Sequence, residues 1–279
     1  MTFVKRALTT IIGLPAVVFI VFVGGWPLYV VVSLAALLGL WELNKAFAIP
    51  RALLAVSIIF SIINFVAVYF RGEVFWEGLL LYVIVLATLT VVRYGKFNLD
   101  AVFKSVFGFL YVPFMLTFIL LVRDATDFGH INVWFIFIAC FGCDTFAYLI
   151  GSAFGKRKLV NSPSPSKTVA GLVGGVVGAG VAGFLIFFFV SRMDFFYVSD
   201  ARLFITFEEA LGGAVFVMVG AVLSIIGDMF GSAIKRHTGI KDFGVFFPGH
   251  GGVMDRLDSI VIVAPFVFVV LHSIERMFG

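Results

Sequence analysis

Apolar residues in this chain fall in long unbroken runs, with neither the strict alternation of a half-buried strand nor the one-sided stripe of a surface helix. Nine runs approach the roughly 20 residues needed to cross about 30 Å of hydrocarbon: 7–23, 27–48, 53–70, 76–92, 106–122, 131–154, 169–191, 210–227 and 260–277. Lys5 and Arg6 precede the first run in the manner of a secretory leader. No further charge appears until Glu42, however, so the apolar region is too long for a cleaved signal. The expected fold is therefore an all-α polytopic membrane protein of about nine transmembrane helices. Its longest polar segment, Asp228 to Ser259, leaves no room for a soluble domain. The expected halves are 1–105, with helices 1–4, and 106–279, with helices 5–9 and the site.

Charge orients these spans. With nine helices, alternate connections collect Lys5, Arg6, Lys45, Arg51, Arg93, Lys96, Lys104, Lys156, Arg157, Lys158, Lys167, Lys235, Arg236, Lys241 and Arg256 on one side. The other side receives Arg71, Arg123, Arg192, Arg202 and Arg276. Fifteen cations against five predict a cytoplasmic N-terminus and an external C-terminus. Composition agrees with a membrane solvent: only 13% of residues are charged, where soluble domains carry roughly 25%. The net charge of +4 gives no case for nucleic acid.

Ionisable groups at membrane depth are costly and mark function by default. Asp144, in Cys143-Asp144-Thr145-Phe146-Ala147-Tyr148, lies about ten residues, or ~15 Å, inside the sixth span. It calls for a cationic partner, which a bound metal would supply; a hydrogen bond between helices is the plainer alternative. Tyr148 is one turn further on the same face. The loop that follows carries Lys156, Arg157 and Lys158, then Ser162-Pro163-Ser164-Pro165-Ser166-Lys167-Thr168. Its prolines exclude helix, and its hydroxyls and cations suit a phosphate or, failing that, lipid headgroups. Gly171, Gly174, Gly175 and Gly178 open the next span and predict close helix packing.

The most specific segment reads Gly227-Asp228-Met229-Phe230-Gly231-Ser232-Ala233-Ile234-Lys235-Arg236, then Lys241-Asp242-Phe243-Gly244, and ends Pro248-Gly249-His250-Gly251-Gly252-Val253-Met254-Asp255-Arg256-Leu257-Asp258. Asp255 and Asp258, three apart at the expected start of the last helix, would share a face. With Asp228 they form a hard-cation site of oxygen ligands suited to Mg²⁺. Lys235, Arg236, Lys241 and Arg256 supply countercharge, and the glycines let backbone approach an anion. The spacing leaves His250 open between metal ligand, acid-base group and phosphate donor. Cys140 and Cys143 sit within an apolar span without a second pair and read as small packing residues. Pro15, Pro113 and Pro265 are expected to mark kinks.

At these positions the chain resembles the phosphatidate cytidylyltransferases, or CDP-diacylglycerol synthases. Their signature S-x-x-K-R-x4-K-D-x-G, then P-x-H-G-G-x-x-D-R-x-D, runs unbroken from Ser232 to Asp258. The family's D-[ST]-x-A-Y and S-P-x-K-T segments are matched at Asp144–Tyr148 and Ser164–Thr168, with Ala170 where Glu or Gln is usual. The resemblance implies an integral enzyme of the cell inner membrane that converts CTP and phosphatidic acid to CDP-diacylglycerol and pyrophosphate. It also implies Mg²⁺ dependence, membrane lipids as surroundings and a homodimer.

On that reading the phosphatidate oxygen attacks the α-phosphorus of CTP directly. Asp228 and Asp255 are the first expected Mg²⁺ ligands, with Asp144 and Asp258 joining them or completing a second site that a monovalent cation would take. Lys167, Lys235, Arg236 and Arg256 clamp phosphates, and Lys156, Ser164, Thr168, Lys241, His250 and Tyr148 complete the substrate contacts. Two rivals are a transporter, which would spread its charges along a path open to both faces, and another CTP-using enzyme such as a polyprenol kinase.

Overall fold

The computed structural model describes residues 15, 17–124, 129–159, 163–165, 167–190, 197–198, 201–202, 205–246 and 251–278. Its helices are α1 (Gly25–Ala46), α2 (Arg51–Arg71), α3 (Trp76–Val92), α4 (Leu99–Asp124), α5 (Gly129–Phe154), α6 (Val169–Val190), α7 (Phe207–His237), the single turn α8 (Met254–Leu257) and α9 (Ile260–Phe278). A two-residue hairpin, β1 (Tyr197–Val198) and β2 (Ala201–Arg202), joins α6 to α7. Residues 17–23 are helical, so the expected first span is seen only in its last turns.

Seven of the described helical segments are long and apolar enough to cross a membrane, and α3, with 17 residues, is a shorter apolar helix. The protein is therefore an all-α polytopic membrane protein, as its hydropathy predicts. Helix ends depart from the apolar runs where hydrogen bonding outlasts the membrane. α4 begins at Leu99 rather than 106, capped by Asn98, whose side chain accepts the Asp100 N–H. α7 continues ten residues past 227. At about 1.5 Å per residue, its 31 residues span roughly 46 Å, well beyond a hydrocarbon core. The last helix starts at Ile260 rather than at Asp255: Met254–Leu257 form their own turn and residues 258–259 break the ladder.

The chain divides into two compact units, Met1–Asp124 with Lys235–Leu257, and Ala125–Ile234 with Asp258–Gly279. The boundary expected at 105/106 falls inside α4.

In the first unit, α1 to α4 follow one another through short connections and are tied by buried hydroxyls. Tyr82 on α3 hydrogen-bonds Ser57 on α2 (2.8 Å) and donates to the Ser105 carbonyl on α4 (3.0 Å). Asn64 on α2 donates to Thr117 Oγ1 on α4 (2.7 Å). Such bonds contribute about 0.6 kcal/mol each inside membrane proteins, so they fix helix register more than they hold the unit together. Pro113 lies in a π-helical turn of α4, Leu110–Phe114, where the wider turn accommodates its missing N–H. Exposed Trp26, Tyr69, Phe70 and Trp76 cluster at the start of α1, the end of α2 and the start of α3. This is the aromatic placement of a membrane–water boundary.

In the second unit, α5 and α6 approach through glycine. A Cβ at Gly171 would lie 2.9 Å from the Ala147 carbonyl oxygen, and one at Gly175 would lie 2.9 Å from that of Cys143. These are the small-residue contacts predicted from the Gly-rich start of the span. Gly171→Ala is expected to push the helices apart and cost about 1–3 kcal/mol, read as a lower detergent melting temperature. Gly212→Ala on α7, where nothing lies within 4 Å, should be neutral or stabilising.

Candidate active site

The signature segment is folded around carboxylates. In the first unit, Lys235 on the last turns of α7 donates from Nζ to Asp255 Oδ1 at 2.8 Å, with both side chains largely buried. Asp255 Oδ2 accepts the backbone N–H groups of Phe243 and Gly252, each at 2.9 Å. Lys235 Nζ also stands 5.3 Å from the Phe243 ring centroid, a cation–π contact. One side chain thus joins α7, the strand of loop at 243 and the turn at 252. Gly251 has φ +85°, and a Cβ there would meet Asp255 Oδ2 at 2.8 Å, so both the conformation and the space call for glycine.

A second carboxylate, which the sequence reading used only to bound an apolar run, lies beneath this loop. Glu42 on α1 is 2% exposed. Its Oε1 accepts the Val253 N–H (3.1 Å) and its Oε2 the Met254 N–H (2.8 Å). Gly244 and Gly252 close on the same carboxylate, leaving no room for a Cβ at either. The available signal was a lone acid within a long apolar stretch, which membrane physics marks as costly.

The second unit gathers the other candidates. Lys167, at the end of the loop after α5, forms an ion pair with Asp228 on α7; their side chains are 21% and 28% exposed. Asp258 is 5% exposed; its Oδ1 accepts the Ser259 N–H at 2.9 Å. Its Cβ would lie 2.9 Å from a Cβ on Gly231, and its carbonyl oxygen 2.6 Å from one on Gly227. The two glycines flanking Asp228 therefore seat Asp258. The helical turn that carries Asp255 ends at Leu257, and Asp258 follows outside it.

The loop between α5 and α6 is pinned as an antiparallel bridge between Lys158 and Thr168. Leu159 N–H donates to the Lys167 carbonyl (3.1 Å), Val169 N–H to that of Arg157 (3.0 Å), and Lys167 N–H to that of Ser164 (3.3 Å). Thr168 accepts the Gly171 N–H and caps α6. Lys156, Tyr148, Arg236, Lys241 and Arg256 are exposed, and His250 lies outside the described residues. No group of three or more His, Cys, Asp or Glu close enough to hold a metal occurs among the described residues.

The buried Lys235–Asp255 pair gives a direct stability test. Lys235→Met leaves a carboxylate without its cation and is expected to cost about 3 kcal/mol. Lys235→Met combined with Asp255→Leu should destabilise less than the two single changes added together, read by denaturation of each variant in detergent.

Residues 4–274 match the model of the cytidylyltransferase family. Curated relatives share this breadth. A phosphatidate cytidylyltransferase of Bacillus subtilis is 29% identical over 274 residues, covering 96% of this chain and 97% of its own. One of Haemophilus influenzae is 30% identical over 288 residues, covering 94% and 96%. One of Thermotoga maritima is 35% identical over 178 residues, 62% of either chain and thus under two thirds of its length. A family match over nearly the whole chain, on a polytopic helical protein whose signature residues form these two carboxylate-centred clusters, shows that the chain belongs to the cytidylyltransferase family of nucleotidyl-transferring enzymes.

Proposed function

We propose that the protein transfers CMP from CTP to phosphatidic acid, giving CDP-diacylglycerol and pyrophosphate. The observation that carries this reading is the end-to-end match to relatives named phosphatidate cytidylyltransferase. The site chemistry supports it: both substrates are polyanions, and the signature supplies paired lysines with exposed Arg236, Lys241 and Arg256. An oxygen of the phosphatidate phosphate attacks the α-phosphorus of CTP, the bond to the β-phosphate oxygen breaks, and pyrophosphate leaves. A phosphate is already ionised near neutral pH, so the step needs neither a strong base nor a covalent enzyme intermediate. Positioning and charge stabilisation carry the rate.

Asp228, part-exposed and held by a lysine, would offer Mg²⁺ a hard oxygen ligand; Asp144 and Asp258 remain its candidate companions from the signature motifs. One or two carboxylates suffice when substrate phosphates complete the shell, and Mg²⁺ there would neutralise charge on those phosphates. Asp255 has one oxygen on Lys235 and the other on two N–H groups. Its part in this reading is to hold Lys235 and the loop, and a metal role for it would use the lone pair that Oδ1 retains beside Lys235. Lys167 and Lys235 each have three donors, and with Arg236 and Arg256 they hold phosphates. Lys156, Ser164, Thr168, Lys241, His250 and Tyr148 line the approach of substrate. The charge bias supports a cytoplasm-facing site in the inner membrane, and the family resemblance supports a homodimer.

Pyrophosphate release by detergent-purified protein should require CTP, Mg²⁺ and phosphatidic acid together; release without the lipid, or none from folded protein, would overturn the assignment. Asp228→Asn should lower kcat by about a hundredfold or more and raise the Mg²⁺ concentration needed for half-maximal rate. Wild-type turnover and Mg²⁺ dependence in that variant would remove Asp228 from the metal.

A further inference from the structure

Glu42 stands far from the signature in sequence, as the one acidic residue of α1, yet both its carboxylate oxygens accept N–H groups of the signature segment. One oxygen holds the N–H of Val253 and the other that of Met254. Gly244 at the loop's start and Gly252 near its end both lie against the same group. Glu42 thus meets the two ends of segment 244–252 at once. Asp255 closes the same ends from the other side, through the N–H groups of Phe243 and Gly252.

We propose that Glu42 is a positioning residue, clamping the base of the 244–252 loop and thereby setting where Lys235, Asp255 and Arg256 stand. This rests on the cytidylyltransferase reading for its consequence in catalysis, though not for the clamp itself. Two acceptor oxygens are needed because two N–H donors converge on them. A glutamine in the same place offers one acceptor and turns an NH₂ group toward the second donor, leaving a buried N–H unsatisfied. Aspartate is a methylene shorter and reaches one donor at a time. The fit also explains glycine at 244 and 252 without any ligand: a side chain there would expel the carboxylate that closes the loop.

Two readouts separate this role from general support of the fold. In the activity assay, Glu42→Gln should lower kcat about tenfold or more, and Glu42→Asp should recover part of it. Asn64→Ala, which removes a buried hydrogen bond to Thr117 elsewhere in the same unit, should lower the melting temperature comparably and leave kcat within about twofold. Independently of activity, a nitroxide on Val245→Cys would report loop motion, since position 245 is 91% exposed and the native Cys140 and Cys143 are buried. Its spectrum should sharpen in Glu42→Gln and not in Asn64→Ala. An unchanged spectrum in Glu42→Gln would overturn the clamp, and a kcat loss matched by Asn64→Ala would overturn positioning. A sharpened spectrum in protein that shows no CTP- and lipid-dependent turnover would uphold the clamp while removing the proposed function.

Discussion

A carboxylate taken out of water is tolerated only where cations or N–H groups replace its hydration, and this one requirement organises the signature segment. Asp255 is satisfied by an ammonium and two backbone donors, Glu42 by two backbone donors, and Asp228 by an ammonium. Each solution draws distant chain together: α7 to the 243 and 252 turns, and α1 to the first turn of α8. The described ends of the 244–252 loop are set by the backbone N–H groups that complete the shells of Glu42 and Asp255.

The same solvent makes the fold legible and limits what can be read. Apolar runs mark where the chain meets hydrocarbon, so seven of the eight later spans are recovered as long apolar helices and the eighth as the shorter α3. Their ends were less readable, because hydropathy reports membrane thickness while a helix ends where its hydrogen-bond ladder does. Nothing in the ten residues after 227 breaks α7, and Gly227 and Gly231, poor helix formers, are kept because Asp258 packs where a Cβ would stand. The close approach of α5 and α6 was readable, since only glycine spacing permits it.

The site was legible as a set of residue types and not as a set of pairings. Charge and position marked Asp144, Lys167, Asp228, Lys235 and Asp255 as costly. Spacing placed Asp255 and Asp258 on one face at the start of the last helix, whereas the helical turn that carries Asp255 ends at Leu257 and the long helix begins at Ile260. That Lys167 meets Asp228, and Lys235 meets Asp255, depends on tertiary packing that no local pattern encodes. Glu42 was missed for a related reason: its partners are main-chain N–H groups, which every residue has and no sequence advertises.

The ion pairs bear on how such a site can receive a polyanion. Lys167 and Lys235 each stand beside a carboxylate, Asp228 and Asp255, so each partner offsets the cost of taking the other's charge out of water. The ammonium keeps donors to spare, so phosphate can join the pair without breaking it. Arg236, Lys241 and Arg256 are exposed, so water shares in solvating their charges. The acidic residues of the signature therefore hold the lysines in place through ion pairs in which each charge replaces part of the other's lost hydration.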